Sequence, residues 1–218
     1  TAKVPSTPHD SSVGVLNGID RICEESGVDV TDIARVMHGT TVATNAVLTG
    51  KGASVALVTT QGYKHVLQVA RSFCPGGLGG WVSYMKKPLL APLELTIEAS
   101  ERVGADGSIV KALDEEKLTQ SLQALKDKGG FTALTISFIN AYVNGENERQ
   151  AQAVAQRVFP DMPISISSDV VPELQEYERT ETTVVNSYVR PEVAKYVDNL
   201  YGALTERMGS DIHLSILR

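Results

Sequence analysis

The sequence predicts an α/β fold, a largely parallel sheet flanked by helices with a β-hairpin inserted. Three observations carry this reading. Apolar, β-branched runs such as Ala53 to Thr60 alternate with amphipathic segments at a rhythm that suits parallel strands joined by helices. Phe131 to Ile139 reads as a strand buried on both faces. Asp106-Gly107 stands between two short runs as a two-residue hairpin signal. With 218 residues, 42% of them hydrophobic, the chain has ample material for a core.

The elements follow in order. Thr1 to Pro8 is held extended by its prolines, and Ser11 to Ser26 forms a helix with Val15, Ile19 and Ile22 on one face. Gly27 ends it. The next strand ends near Val36-Met37, and Gly39 permits a sharp turn in which Thr40 or Thr41 caps a helix. On that helix Thr41 and Asn45 lie one turn apart, while Ala43 and Val47 share the apolar side. Gly50 and Gly52 close it before the strand from Ala53 to Thr60, so the unit reads as β-α-β with a right-handed crossover.

Gly62 to Ala70 is a short helix with Val66, Val69 and Ala70 inward. Ser72 to Pro92 has no period, and an irregular connection of this length is usually functional or mobile. Leu93 to Val103 alternates and pairs across the turn with Ser108 to Val110, making residues 72–110 a loop and hairpin insertion in a single α/β domain, 1–218. Asp114 caps a helix on Leu118, Leu122 and Leu125, stopped by Gly129-Gly130. Glu146 to Phe159 turns Ala151, Val154 and Val158 inward and leads to a strand at Ile164 to Ser168. Glu173 to Met208 is helical, with Val193, Val197, Leu200 and Leu204 in phase, and Pro191 should kink or split it. Ile212 to Leu217 is a last strand.

Composition excludes several classes. A net charge of -6 and a pI near 5.3 leave no nucleic-acid footprint. No run approaches a membrane span, and the N-terminus lacks a signal pattern. The two cysteines build neither a disulfide framework nor a metal site, which points to the cytoplasm. The four histidines are scattered and no H-E-x-x-H occurs, so a closed zinc site has no support. Pro75 to Gly80 fits no phosphate-loop spacing and reads as a lid; a nucleophilic Cys74-His38 pair has only its residue types behind it.

In open α/β sheets ligands lie beyond the carboxyl ends of the strands, where helix N-termini offer N–H groups to anions. His38 to Asn45 and Thr59 to Gly62 should lie side by side there. Position alone favours the plainer reading, in which Thr40 is a cap and His38 a satisfied core histidine. The acidic cluster Glu173, Glu176, Glu178 and Glu181, with Arg179, reads either as a solvated helix face or as a group that holds magnesium or a nucleotide. Asp169, after a strand, could reach the same crevice or be an ordinary loop residue.

Longer motifs shift that balance. H-G-T-T-V-A-T-N-A-V-L from His38, K-G-A-S-V-A-L-V-T-T-Q-G-Y from Lys51, L-D-E-E at 113–116, S-S-D-V-V-P-E at 167–173 and E-Y-E-R-T-E-T-T-V-V-N-S-Y-V-R-P at 176–191 resemble the N-terminal region of the hydantoinase A/5-oxoprolinase family. That family includes acetone- and acetophenone-carboxylase subunits. The resemblance implies an actin-like ATPase-type half that lacks an upstream phosphate hairpin and is continued by a larger downstream domain. It implies an enzyme that uses ATP and Mg2+ to open a cyclic amide, a hydantoin or 5-oxoproline, by phosphorylating its carbonyl. The isolated chain would then be inactive.

On this resemblance His38, Thr41 and Asn45 are the catalytic candidates. Gly39, Thr40, Thr59, Thr60, Glu178 and Arg179 would serve the nucleotide, and Asp169 the metal. A hydantoinase B-type partner subunit or domain and an oligomeric assembly are implied too. The rival readings are a subunit of an ATP-dependent ketone carboxylase, a sugar- or acid-kinase relative, and a non-catalytic binding or assembly module.

Overall fold

A computed structural model describes residues 1–7, 10–72 and 87–217. His9, Cys74, the glycine-rich Pro75 to Gly80 and most of the irregular stretch Ser72 to Pro92 lie outside the described residues. The described residues form two compact units, one from Thr1–Gly52 with Pro191–Arg218 and the other from Ala53–Arg190. Its sheets are parallel apart from one hairpin.

In the first unit, helix α1 (Ser11–Ser26) has the predicted ends. The Asp10 carboxylate accepts the Ser12 N–H at 2.9 Å, and Gly27 takes a left-handed φ of 71° that closes the last turn onto Cys23. Strand β1 (Arg35–Gly39) runs two residues past the expected Met37 end and pairs in parallel with β8 (His213–Leu217). Helix α2 (Val42–Thr49) follows after only Thr40 and Thr41. The inward residues of α2 are Val42 and Ala46, whereas Ala43 and Val47 are exposed. The segment V-A-T-N-A-V has apolar residues at both i,i+4 pairs, so its period could not choose between them.

The core of this unit is built on Leu16, Tyr196, Leu200, Leu204 and Met208, with Val36 and Leu214 from the two strands packed against it. Ile22, expected inward, is exposed, and Leu16 takes the buried place on α1. Helix α7 (Glu176–Met208) is one continuous helix that contains Pro191, neither split nor interrupted there. Its residues from 191 belong to the first unit and those before it to the second.

The second unit is organised on a four-stranded parallel sheet of order β3-β2-β6-β7, comprising β3 (Thr96–Ala99), β2 (Val55–Thr60), β6 (Ala133–Ser137) and β7 (Ile164–Ile166). β1 and β2 therefore sit in different sheets, and the expected single β-α-β unit does not form. The reason is non-local: β1 finds its partner in β8, at the far end of the chain.

Every residue of β2 is buried because both faces of the sheet are covered. Ala56 and Val58 meet the leucines of α4 (Glu115–Lys128) and Ala151 and Val154 of α5 (Glu146–Val158). Val55 and Leu57 face the other way, towards Leu67 of the short α3 (Val66–Val69) and Val184 and Tyr188 of α7. On α3 it is Leu67 that is buried, while Val69 is exposed.

The run Leu93 to Val103 divides: a 3-10 turn and β3 join the main sheet, and only β4 (Arg102–Val103) enters the hairpin with β5 (Ile109–Lys111). Its loop is longer than the two residues expected. Gly104 N–H bonds Ser108 O, Gly107 N–H bonds Gly104 O, and Gly107 takes a φ of 83°, a turn closed by a left-handed residue. No helix among the described residues is long and apolar enough to cross a membrane.

Candidate functional site

The H-G-T-T motif sits where β1 becomes α2. His38, Gly39, Thr40, Thr41 and Asn45 line one cavity of about 840 Å³ within the first unit, together with Lys51, Glu192 and Tyr196. One wall is the extended segment from Val4 to Thr7. It lies close on α1 because Gly14 has no side chain: a Cβ there would stand 3.1 Å from Thr7 Oγ1, the atom that accepts the Gly14 N–H.

The donors in this cavity have a definite arrangement. Thr40 Oγ1 accepts the Val42 N–H at 3.3 Å, so Thr40 does the local capping. Thr41, at the N-cap position, makes no side-chain cap bond; its Oγ1 instead accepts Asn45 Nδ2 at 3.3 Å. No acidic residue stands in the first turn of α2. The helix thus presents its positive end, two hydroxyls and an amide to the cavity without a carboxylate of its own.

His38 lies at the carboxyl end of β1 and is half-buried. Burial holds its pKa below the ordinary histidine value, which favours the neutral ring. Its Nε2 is 2.7 Å from the hydroxyl of Tyr196 on α7, with the rings tilted by 46°. Burial pushes the pKa of the phenol up, and the neighbouring Thr40 hydroxyl partly opposes that rise. Sequence reading missed Tyr196. The available signal was its place four residues before Leu200 and eight before Leu204, in phase with the buried stripe.

The other predicted residues belong to the second unit, each in its own setting. Thr59 is buried in β2, and Thr60 donates its hydroxyl to the buried Glu101 while accepting the Ile139 N–H at 2.9 Å. Glu178 is ion-paired with Arg71. Arg179 is fully buried, with Nη2 on Phe138 O at 2.6 Å and on the Glu176 carboxylate, and Nε on Ser167 Oγ at 3.1 Å. Asp169 is exposed in the single turn α6 (Ser167–Val170). Among the described residues no group of three or more His, Cys, Asp or Glu is placed to hold a metal ion.

The second unit also holds buried acids that sequence reading did not single out. Glu148 is fully buried, accepting from Ser167 Oγ at 2.6 Å, Phe138 N at 2.8 Å and Ser168 N at 2.7 Å. Burial pushes both Glu148 and Glu101 above the ordinary carboxylate range. In sequence, E-N-E-R at 146–149 reads as an acidic first turn facing water, which is why neither Asn147 nor Glu148 stood out.

Comparison with known proteins agrees with the motifs. The family model described as the hydantoinase/oxoprolinase N-terminal region matches residues 1–159. The chain is 31% identical over 212 residues to the caprolactamase subunit alpha of Pseudomonas jessenii, covering 95% of this chain and 30% of that protein. It is 29% identical over 210 residues to the acetophenone carboxylase gamma subunit of Aromatoleum aromaticum, covering 87% of this chain and 28% of that one. The crystal structure of the ATP-dependent caprolactamase from Pseudomonas jessenii superposes with a TM-score of 0.84 at 30% identity, over 99% of this chain and 31% of that chain. The chain spans about 30% of the length of these relatives. With motif, matched region and fold in agreement, the chain belongs to the hydantoinase/oxoprolinase N-terminal region family.

Proposed function

We propose that the chain is the N-terminal region of an ATP-dependent enzyme that activates a carbonyl of a small substrate, opening a cyclic amide such as a hydantoin, 5-oxoproline or a lactam. The observation that carries this is the convergence of His38, Thr40, Thr41 and Asn45 on one cavity at the N-terminus of α2. A ring amide is resonance-stabilised and resists water. Transfer of the ATP γ-phosphoryl group to its carbonyl oxygen gives ADP and an imidate-like phosphate; one water adds to that carbon, the ring C–N bond opens to leave a free amine and an acyl phosphate, and a second water releases inorganic phosphate and the carboxylate. Such transfer asks the protein chiefly for positioned donors where negative charge grows.

The donor set fits that demand. N–H groups of a helix start and neutral hydroxyl and amide donors suit phosphate or carbonyl oxygens, and Lys51 adds a cation on the cavity wall. Among the described residues no group of three or more His, Cys, Asp or Glu stands ready to cage Mg2+; a magnesium ion bound chiefly by phosphates and water would need few protein ligands. Thr59, Thr60 and Glu178 would serve the nucleotide and Asp169 the metal, whereas the enclosed Arg179 suits a structural role. A B-type partner subunit and an oligomeric, cytoplasmic enzyme belong to the same reading.

The acetophenone carboxylase relative favours a second substrate class: the same donors would serve the oxygen of an enolised ketone. The test is phosphate release by the full-length parent with its partner, given ATP, magnesium and a panel of 5-oxoproline, hydantoin, caprolactam and ketones with bicarbonate. Release stimulated by a cyclic amide and lowered on the order of 10²-fold by His38→Ala supports the reading. Stimulation by a ketone alone moves the chain to the carboxylase branch, and no stimulation by any member leaves a binding or assembly module.

A further inference from the structure

The hydrogen bond between the Tyr196 hydroxyl and His38 Nε2, 2.7 Å long, joins two side chains of the first unit, and its sense follows from the donors available. The phenol has one proton to give, and an imidazole nitrogen without its own proton has a lone pair to receive it.

The opposite sense is poorer. It would have a neutral imidazole N–H, a very weak acid, donate to a phenol oxygen. A phenol O–H given to an imidazole lone pair is the better matched pair. Which ring nitrogen of a histidine carries the proton is set by the bond made at the other.

We propose that Tyr196 is a positioning residue that donates to Nε2 and fixes His38 as the neutral Nδ1–H tautomer, so that His38 meets its ligand as a hydrogen-bond donor rather than as a base. This deepens the proposed carbonyl-activating function and rests on it for the identity of the ligand. A neutral imidazole N–H placed on a carbonyl or phosphoryl oxygen stabilises charge growing there while keeping its proton. Burial acts in the same direction, keeping the proton on the phenol and the imidazole uncharged. The free imidazole prefers the other tautomer, so the structure would be paying for this arrangement through a buried tyrosine.

The experiment is long-range proton–nitrogen correlation on the 218-residue protein labelled at histidine nitrogens, with the His38 signals assigned by their loss in His38→Gln. The expected spectrum at pH 7.5 shows His38 protonated at Nδ1, and Tyr196→Phe returns it to the common Nε2–H form. An Nε2–H tautomer in the unsubstituted protein overturns the proposal, as does a tautomer unchanged by Tyr196→Phe. Should Tyr196→Phe not fold, replacing tyrosine with the more acidic 3-fluorotyrosine keeps the test open. The Nε2 resonance of His38 then moves towards a stronger hydrogen bond if the phenol is the donor, and no such move counts against it. None of these readouts needs a substrate, so failure of the carbonyl-activating reading is separate: it would appear as an unstimulated parent enzyme with the Nδ1–H tautomer intact.

Discussion

Thr60 donates its hydroxyl to the carboxylate of Glu101, and the same oxygen accepts the Ile139 N–H at 2.9 Å. The last residue of the central strand thus ties down both the start of the β4 segment and the loop after β6. Glu101 is only 3% exposed, and its second oxygen accepts Asn147 Nδ2 at 2.8 Å. Burial raises its pKa most; the bonds from Thr60 and Asn147 and nearby Arg102 oppose the rise, while the charge of Glu148 adds to it.

A pH dependence follows with a definite sign. A carboxyl group whose pKa is raised by folding binds its proton more tightly folded than unfolded, so its contribution is fully present below the unfolded value near 4.5 and is lost as pH rises through the folded value. Glu148, also raised, acts in the same direction. These two groups should therefore lower the melting temperature as pH rises above about 4.5, while His38, whose pKa burial lowers, acts in the opposite direction. Glu101→Gln, which keeps a neutral group of similar shape, removes the Glu101 share, so its melting temperature relative to the parent should rise with pH. A difference between the two proteins that does not change with pH would contradict the assignment.

Arg179 tests whether the E-Y-E-R segment is structural or ligand-facing. Its guanidinium bonds Phe138 O, Ser167 Oγ and the Glu176 carboxylate and lies over the Tyr142 ring at 5.5 Å, which a lysine cannot reproduce. Removing one partner from a buried charged network typically costs about 3–5 kcal/mol. Arg179→Met should accordingly lower the urea midpoint of the protein sharply, with Arg179→Lys recovering only part of the loss. A midpoint unchanged in Arg179→Lys would point instead to a residue reserved for a ligand.

Much of the architecture was legible because local signals were strong and agreed. Gly27 ended α1, and Asp114 with Leu118, Leu122 and Leu125 defined α4. What was not legible is what the far end of the chain decides. Nothing near Val36 says that its strand pairs with Leu214, and nothing near His38 says that a phenol 158 residues away will bond its ring. The candidate site divides the same way. One short motif brings His38 to Asn45 together through a single strand-to-helix turn, whereas grouping them with Thr59 and Thr60 required a shared sheet that does not form. The buried Asn147 and Glu148 stayed hidden because polar residues in a first helical turn ordinarily face water.

Thr41 provides the sharpest test of the cavity itself. Its side chain is exposed and makes no cap bond, so its removal costs α2 little, and its Oγ1 accepts Asn45 Nδ2 at 3.3 Å. A capping threonine would instead be expected to cost about 1 kcal/mol on truncation. If the hydroxyl and the Asn45 amide together meet a phosphoryl or carbonyl oxygen, Thr41→Ala in the full-length parent should lower turnover on the order of 10²-fold, as the loss of one preorganised donor does. The melting temperature should stay near that of the parent, and Thr41→Ser, which keeps the oxygen, should restore most of the rate. Asn45→Ala should then add little to Thr41→Ala, because residues that act as a unit are not additive. Turnover unaffected by Thr41→Ala, with the fold intact, would remove this hydroxyl from the site and leave His38 and the helix start as its remaining donors.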